Sequence, residues 1–225
     1  MLRRDYILEM IEECIRALTQ IRALRKGQRW EEARQAVDAQ CEKLAAAGAR
    51  NLAQLSETEL LARVAQDQPT QAVRTRLFLV ISFLQEAGDI AAAEGRMAET
   101  REIYLKALHL LLDVSAQDDP AGHPAFVPRA EALVQCLAGA PLPVRTQVLL
   151  MQHYESTGQL AKAEDSLFSV LDATTDDPAS IEFGAAFYER ILRQHDAMLM
   201  AGNLPRAEAE EGLRELHRRK VEAAI

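Results

Sequence analysis

The segment PVRTQVLLMQHYESTGQLAKAEDSLFSVL, residues 143–171, carries two apolar stripes at helical spacing with a single glycine between them. Leu150 and Tyr154 stand eight and four residues before Gly158, and Ala163, Leu167 and Val170 stand five, nine and twelve after it. Steps of three and four place side chains on one face of an α-helix. A glycine just past the last periodic residue is a helix stop. The small Ala163 lets two helices approach closely after the turn, and the larger residues that follow seat the second helix. The segment therefore predicts an antiparallel helical hairpin, with helices over 143–157 and 160–174.

The same punctuation extends outward. Gly95 is followed at the same offsets by Thr100, Tyr104 and Ala107, whereas Gly202 is followed by Ala207 and then by Glu211 and Arg214. Either Gly88 or Gly95 can form the turn ahead of a helix over 98–114. Ile7, Ile11, Cys14, Leu18 and Ile21 mark a helix over 3–25. A second helix runs over 30–47 and stops at Gly48. Ser56 and Glu59 have capping-box spacing ahead of a helix over 56–66. Leu77 to Leu84 are apolar on nearly every side, which predicts a central buried helix over 70–87. Further helices are expected at 127–138, 179–201 and 205–222, making nine or ten helices and no strand. Composition agrees: 38 alanines and 30 leucines stand against only 5% aromatic residues, and those residue types favour helices over strands. The fold class is all-α, a single helical domain over 1–225. The proline-bearing stretch QDDPAGHPAFVP, residues 117–128, offers the one subdivision, into 1–117 and 118–225.

On GRMAETREIYLKAL (95–108), GQLAKAEDSLFSVL (158–171) and AGNLPRAEAEEGL (201–213), the chain resembles the tetratricopeptide-repeat family of helical-hairpin solenoids over roughly residues 80–225. That resemblance implies a degenerate α-solenoid. Seven residues before the turn glycine the family prefers a small residue. Gly88 fits that preference before Gly95, whereas Met151 and His195 depart from it. The opening MLRRDYILEMIEECIRAL also looks like that of an uncharacterised bacterial family of such helical proteins.

The formal charge is −8. Residues 1–50 are net basic, but no basic stripe with interleaved aromatics follows, so a nucleic-acid partner is not expected. Glu9, Glu12 and Glu13 interrupt the first apolar stretch, and no run reaches bilayer-spanning length, so neither export nor membrane insertion is expected and the location is taken as cytoplasmic. Cys14, Cys41 and Cys136 are isolated thiols without disulfide or zinc spacing. The five histidines form no metal pattern. The carboxylate pairs Asp118–Asp119 and Asp176–Asp177 precede prolines and suit turn and helix-dipole roles. No phosphate loop, dinucleotide fingerprint or nucleophile elbow is present, so no catalytic residue, cofactor or metal is assigned.

In a solenoid the first helix of each hairpin lines the concave face. The resemblance carries that face onto Arg145, Val148, Gln152 and Glu155, then onto Glu189, Leu192, Asp196 and Leu199. Apolar anchors mixed with fixed polar groups suit a peptide. A non-catalytic protein- or peptide-binding module is the expected function. The alternatives are a structural homo-oligomer built on the helix at 3–25, and an enzyme or small-ligand binder whose site assembles only in space.

Overall fold

A computed structural model describes residues 2–66, 68–115, 123–175 and 177–222. Among the described residues there are twelve α-helices and no strand, and helices near in sequence pack in pairs. They divide into two compact units, Met1–Ala140 and Pro141–Ile225. Asp118, Asp119 and Asp176 lie outside the described residues.

The first unit holds α1 (Leu2–Lys26), α2 (Trp30–Ala45), α3 (Ala49–Gln54), α4 (Glu57–Ala65), α5 (Thr70–Ala93), α6 (Met97–Ser115) and α7 (Ala130–Cys136). Its centre is α5, in which every residue from Leu77 to Leu84 is buried. A helix apolar on all sides must be covered on all sides. Here α1, α2, α3, α4 and α6 provide that cover. Because α7 packs on α6 within this unit, the parting of the chain comes after Ala140, downstream of the proline-bearing stretch.

Gly95, not Gly88, makes the α5–α6 turn. It has φ +74°, with Arg96 N–H donating to the Ala91 carbonyl at 2.9 Å and Gly95 N–H to that of Ala92 at 3.0 Å, a Schellman closure. Gly88 sits inside α5 for another reason: a Cβ there would lie 2.5 Å from Cε1 of the Tyr104 ring on α6. The α1–α2 turn closes in the same way, but its left-handed residue is Gln28 (φ 58°), one position after Gly27. Counted from Gln28, Ala33 and Val37 fall at the same five- and nine-residue offsets as Thr100 and Tyr104, and both are buried.

Gly48 does not end α2. Ala46 takes the left-handed conformation (φ 53°) there, and Gly48 caps the start of α3. This short helix is absent from the sequence reading. Its first N–H, at Ala49, is satisfied from a distance by Asp38 Oδ1 at 2.9 Å. The carbonyls at the end of α2 are met by the buried guanidinium of Arg76, which donates to those of Lys43 and Leu44. A cation at a helix C-terminus is favourable against both the orphan carbonyls and the dipole. The capping box at α4 forms as the spacing predicts, with Glu59 N–H on Ser56 Oγ at 3.2 Å and Ser56 N–H on Glu59 Oε2 at 2.9 Å.

The second unit holds α8 (Val144–Ser156), α9 (Leu160–Ala173), α10 (Pro178–Ile191), α11 (Asp196–Ala201) and α12 (Arg206–Glu222). Gly158 closes the α8–α9 hairpin (φ +72°) with the same pair of backbone bonds, and the buried Ala163 admits the close approach. The second hairpin pairs α10 with α12 and holds α11 between them in sequence. Asp177 caps α10, accepting from Ala179 N–H at 3.0 Å and Ser180 N–H at 3.3 Å. The expected packing role of Ala207 is not found: Ala207 is exposed, and Ala209 is the buried alanine. The left-handed residue here is Asn203 (φ 57°), one after Gly202.

Gly88 provides a test of the hairpin contact. Alanine in place of a mid-helix glycine gains about 1 kcal/mol of helix propensity, while overpacking against a buried ring costs about 1–3 kcal/mol. Gly88→Ala is expected to lower the urea midpoint at unchanged m-value; a higher midpoint would show that α5 and α6 do not meet at this point.

Candidate functional site

The α8 side chains divide cleanly. Thr146, Leu150, Met151 and Tyr154 are buried. Arg145 and Gln152 are exposed, and Val148 and Glu155 are half-buried, so these four form one stripe on the other side of the helix. The stripe is tied to α10: Arg190 Nε and Nη2 donate to Glu155 Oε1 and Oε2, each at 2.8 Å. A fork of two parallel bonds fixes direction as well as charge. The bonds to Glu155 raise the Arg190 guanidinium above its ordinary range despite partial burial. Glu189, the neighbour of Arg190, is exposed on the same helix.

The continuous helix expected over 179–201 is interrupted. The chain leaves α10 at Ile191 and enters α11 at Asp196. Arg206 holds the gap together, donating from Nη1 to the Leu192 carbonyl at 2.9 Å, from Nη2 to the Gln194 carbonyl at 2.7 Å and from Nε to Asp196 Oδ1 at 2.5 Å. One guanidinium thus satisfies carbonyls that a helix break would leave without partners. No local signal in 191–196 announces this, because the staple comes from the start of α12.

The break redistributes the second half of the predicted face. Leu192 is half-buried at the break, Asp196 is exposed but engaged by Arg206, and Leu199 is fully buried. The structure therefore brings Arg145, Val148, Gln152 and Glu155 onto one stripe and links it to α10 beside Glu189. It turns Leu199 inward. The break also exposes Met198 and Met200, 56% and 62% accessible, which the helical spacing did not single out. Methionine is flexible and polarisable, and it adapts to irregular apolar partners.

Elsewhere in this unit, α10 sits tightly against its neighbours. A Cβ on Gly212 of α12 would lie 2.4 Å from the Tyr188 ring of α10, and one on Gly184 would lie 2.7 Å from Leu216 Cδ1. The Tyr188 hydroxyl, on a fully buried side chain, donates to Glu164 Oε1 at 2.5 Å. Burial pushes the Glu164 carboxyl above its ordinary value of 4.5, although the Tyr188 bond pulls the other way.

Nucleophilic chemistry at sulfur needs a thiolate. Burial opposes that form at Cys14, raised to about 11, and at the fully buried Cys41, and desolvation also raises the exposed Cys136. His109 Nδ1 lies 3.5 Å from Glu57 Oε1, the His123 ring sits tilted against Phe78 with centroids 4.9 Å apart, and His195 occupies the N-cap position of α11 without a side-chain capping bond. Among the described residues no group of three or more His, Cys, Asp or Glu is arranged to hold a metal ion, and no helix is long and apolar enough to cross a membrane.

Residues 1–221 match the model of a family described as a family of unknown function (DUF6483), and the chain belongs to that family. No curated protein and no solved structure matches it at a significant level.

Glu164 gives a pH-dependent expectation. Its folded value is raised, so its stability contribution is complete below the unfolded value near 4.5 and is lost as pH rises through the folded value. Glu164→Gln keeps an acceptor for Tyr188 and removes the half-buried charge. The variant is expected to melt higher than the parent at neutral pH, with the gap closing as pH falls below about 4.5. A gap that is constant from pH 4 to 7 would show that desolvation of this carboxylate is not what separates the two proteins.

Proposed function

We propose that this member of the family is a non-catalytic protein- or peptide-binding helical module, and that its partner docks on the α8–α10–α11 surface. The observation that supports this most strongly is the interrupted helix. Arg206 anchors the break at the start of α11, and that short helix presents Met198 and Met200 to solvent. A binding surface gains affinity when apolar anchors are held in place before contact and polar groups surround them. The α8 stripe provides such polar groups in Gln152 and the Glu155–Arg190 pair.

Self-association through α1 is a second reading, favoured by Tyr6, Leu8 and Ile15, which remain 48%, 51% and 42% accessible on that helix.

Capture from a native lysate distinguishes the two. With the parent protein as bait, the paired change Met198→Glu with Met200→Glu, and separately Gln152→Ala with Asp196→Ala, should each reduce recovery of the same partner. Recovery unchanged by both pairs contradicts docking on this surface. If instead the recovered species is the chain itself, and Leu8→Glu with Ile15→Glu abolishes it, the second reading holds.

A further inference from the structure

A cavity of about 430 Å³ opens in the first unit where the last turns of α1 meet α5, and the start of α2 forms its edge. Its floor is Glu86, a carboxylate only 2% exposed. Arg22 Nε donates to Glu86 Oε1 at 2.6 Å, while Arg25 Nη1 donates to Glu86 Oε2 and lies 2.7 Å from Asp89 Oδ2. Asp89 in turn accepts from the Tyr104 hydroxyl. Every carboxylate oxygen facing the arginines is engaged, but the cations are not exhausted. The Nη groups of Arg22 and the Nζ of Lys26 have no hydrogen-bond or ion-pair partner among the described residues. Trp30, half-buried, lines the same cavity, and its indole N–H is likewise without a partner among them. Three cations against two carboxylates leave the wall net positive by one.

We infer that this cavity binds a small-molecule oxyanion, a phosphate or a carboxylate. The buried Glu86 fixes two guanidinium groups from behind, so their ordering cost is met before any ligand arrives. Guanidinium forks match the geometry of both oxyanions, and an indole N–H beside them adds a neutral donor. The volume lies within the usual range for small-ligand sites, about 300–1,000 Å³. Arg22, Lys26 and Trp30 line one opening and each keeps a donor that no protein group among the described residues takes up.

Trp30 is the single tryptophan of the chain, so its emission reports on this cavity alone. The test is titration of the full chain with inorganic phosphate, adenosine monophosphate and succinate at constant ionic strength, with adenosine as the uncharged control. Calorimetry in parallel detects binding that leaves the emission unchanged. A saturable response to phosphate and the nucleotide assigns a phosphoryl ligand, and one to succinate assigns a carboxylate. Arg22→Gln with Lys26→Gln should weaken the response about tenfold or more. Lys26→Gln alone, which breaks no internal contact, should weaken it in the same direction. The inference is overturned if none of the three anions gives saturable heat or emission change, if adenosine matches the nucleotide, or if both variants bind as the parent does.

Discussion

Close approach of paired helices is the constraint from which the rest of the structure follows. In the α5–α6 pair, Gly88 removes a Cβ and the Tyr104 ring occupies the space. In the α10–α12 pair the roles are exchanged between first and second helix, with Tyr188 supplying the ring and Gly212 the space. Both rings then carry a hydroxyl into a helix–helix interface, where an unmatched donor is costly. Each finds a carboxylate: Asp89 in one case and Glu164 in the other. Packing geometry thus fixes where these half-buried carboxylates stand, and at Asp89 the carboxylate also draws in Arg25.

The polar residues that matter most are consequently those that satisfy what helices leave unfinished. Arg76 closes the end of α2, Asp38 opens α3 and Arg206 bridges the gap between α10 and α11. The two surfaces proposed to act on other molecules both lie beside such repairs. The Met198–Met200 surface exists because Arg206 stabilises a helix break. The cavity beside Trp30 exists because Glu86 orders arginines whose outer faces are left over.

Much of the fold was legible because its signals are local. The spacing of Leu150, Tyr154, Ala163, Leu167 and Val170 around Gly158 specified a hairpin, and Ser56 with Glu59 specified a helix start; both are present. Glycine as a turn marker was less dependable. At Gly27 and Gly202 the left-handed residue is the next one, Gln28 or Asn203, and at Gly48 the glycine begins a helix instead of ending one. On α8 the spacing of Arg145, Val148, Gln152 and Glu155 sufficed to place them on one side, because one helix carries all four. The candidate face was not legible beyond Ile191, since the interruption depends on Arg206, ten residues downstream of Asp196. The cavity at Glu86 has no linear signature at all, since its walls come from segments more than fifty residues apart.

The central claim is that helical hairpins are closed by left-handed residues at defined positions and that α10 and α11 are separate helices. Backbone chemical-shift assignment by nuclear magnetic resonance tests it residue by residue. Helical shifts are expected over 178–191 and 196–201 with a break at 192–195, and left-handed shifts at Gln28, Gly95, Gly158 and Asn203. Uninterrupted helical shifts from 179 to 201, or extended shifts at those four turn residues, would contradict it.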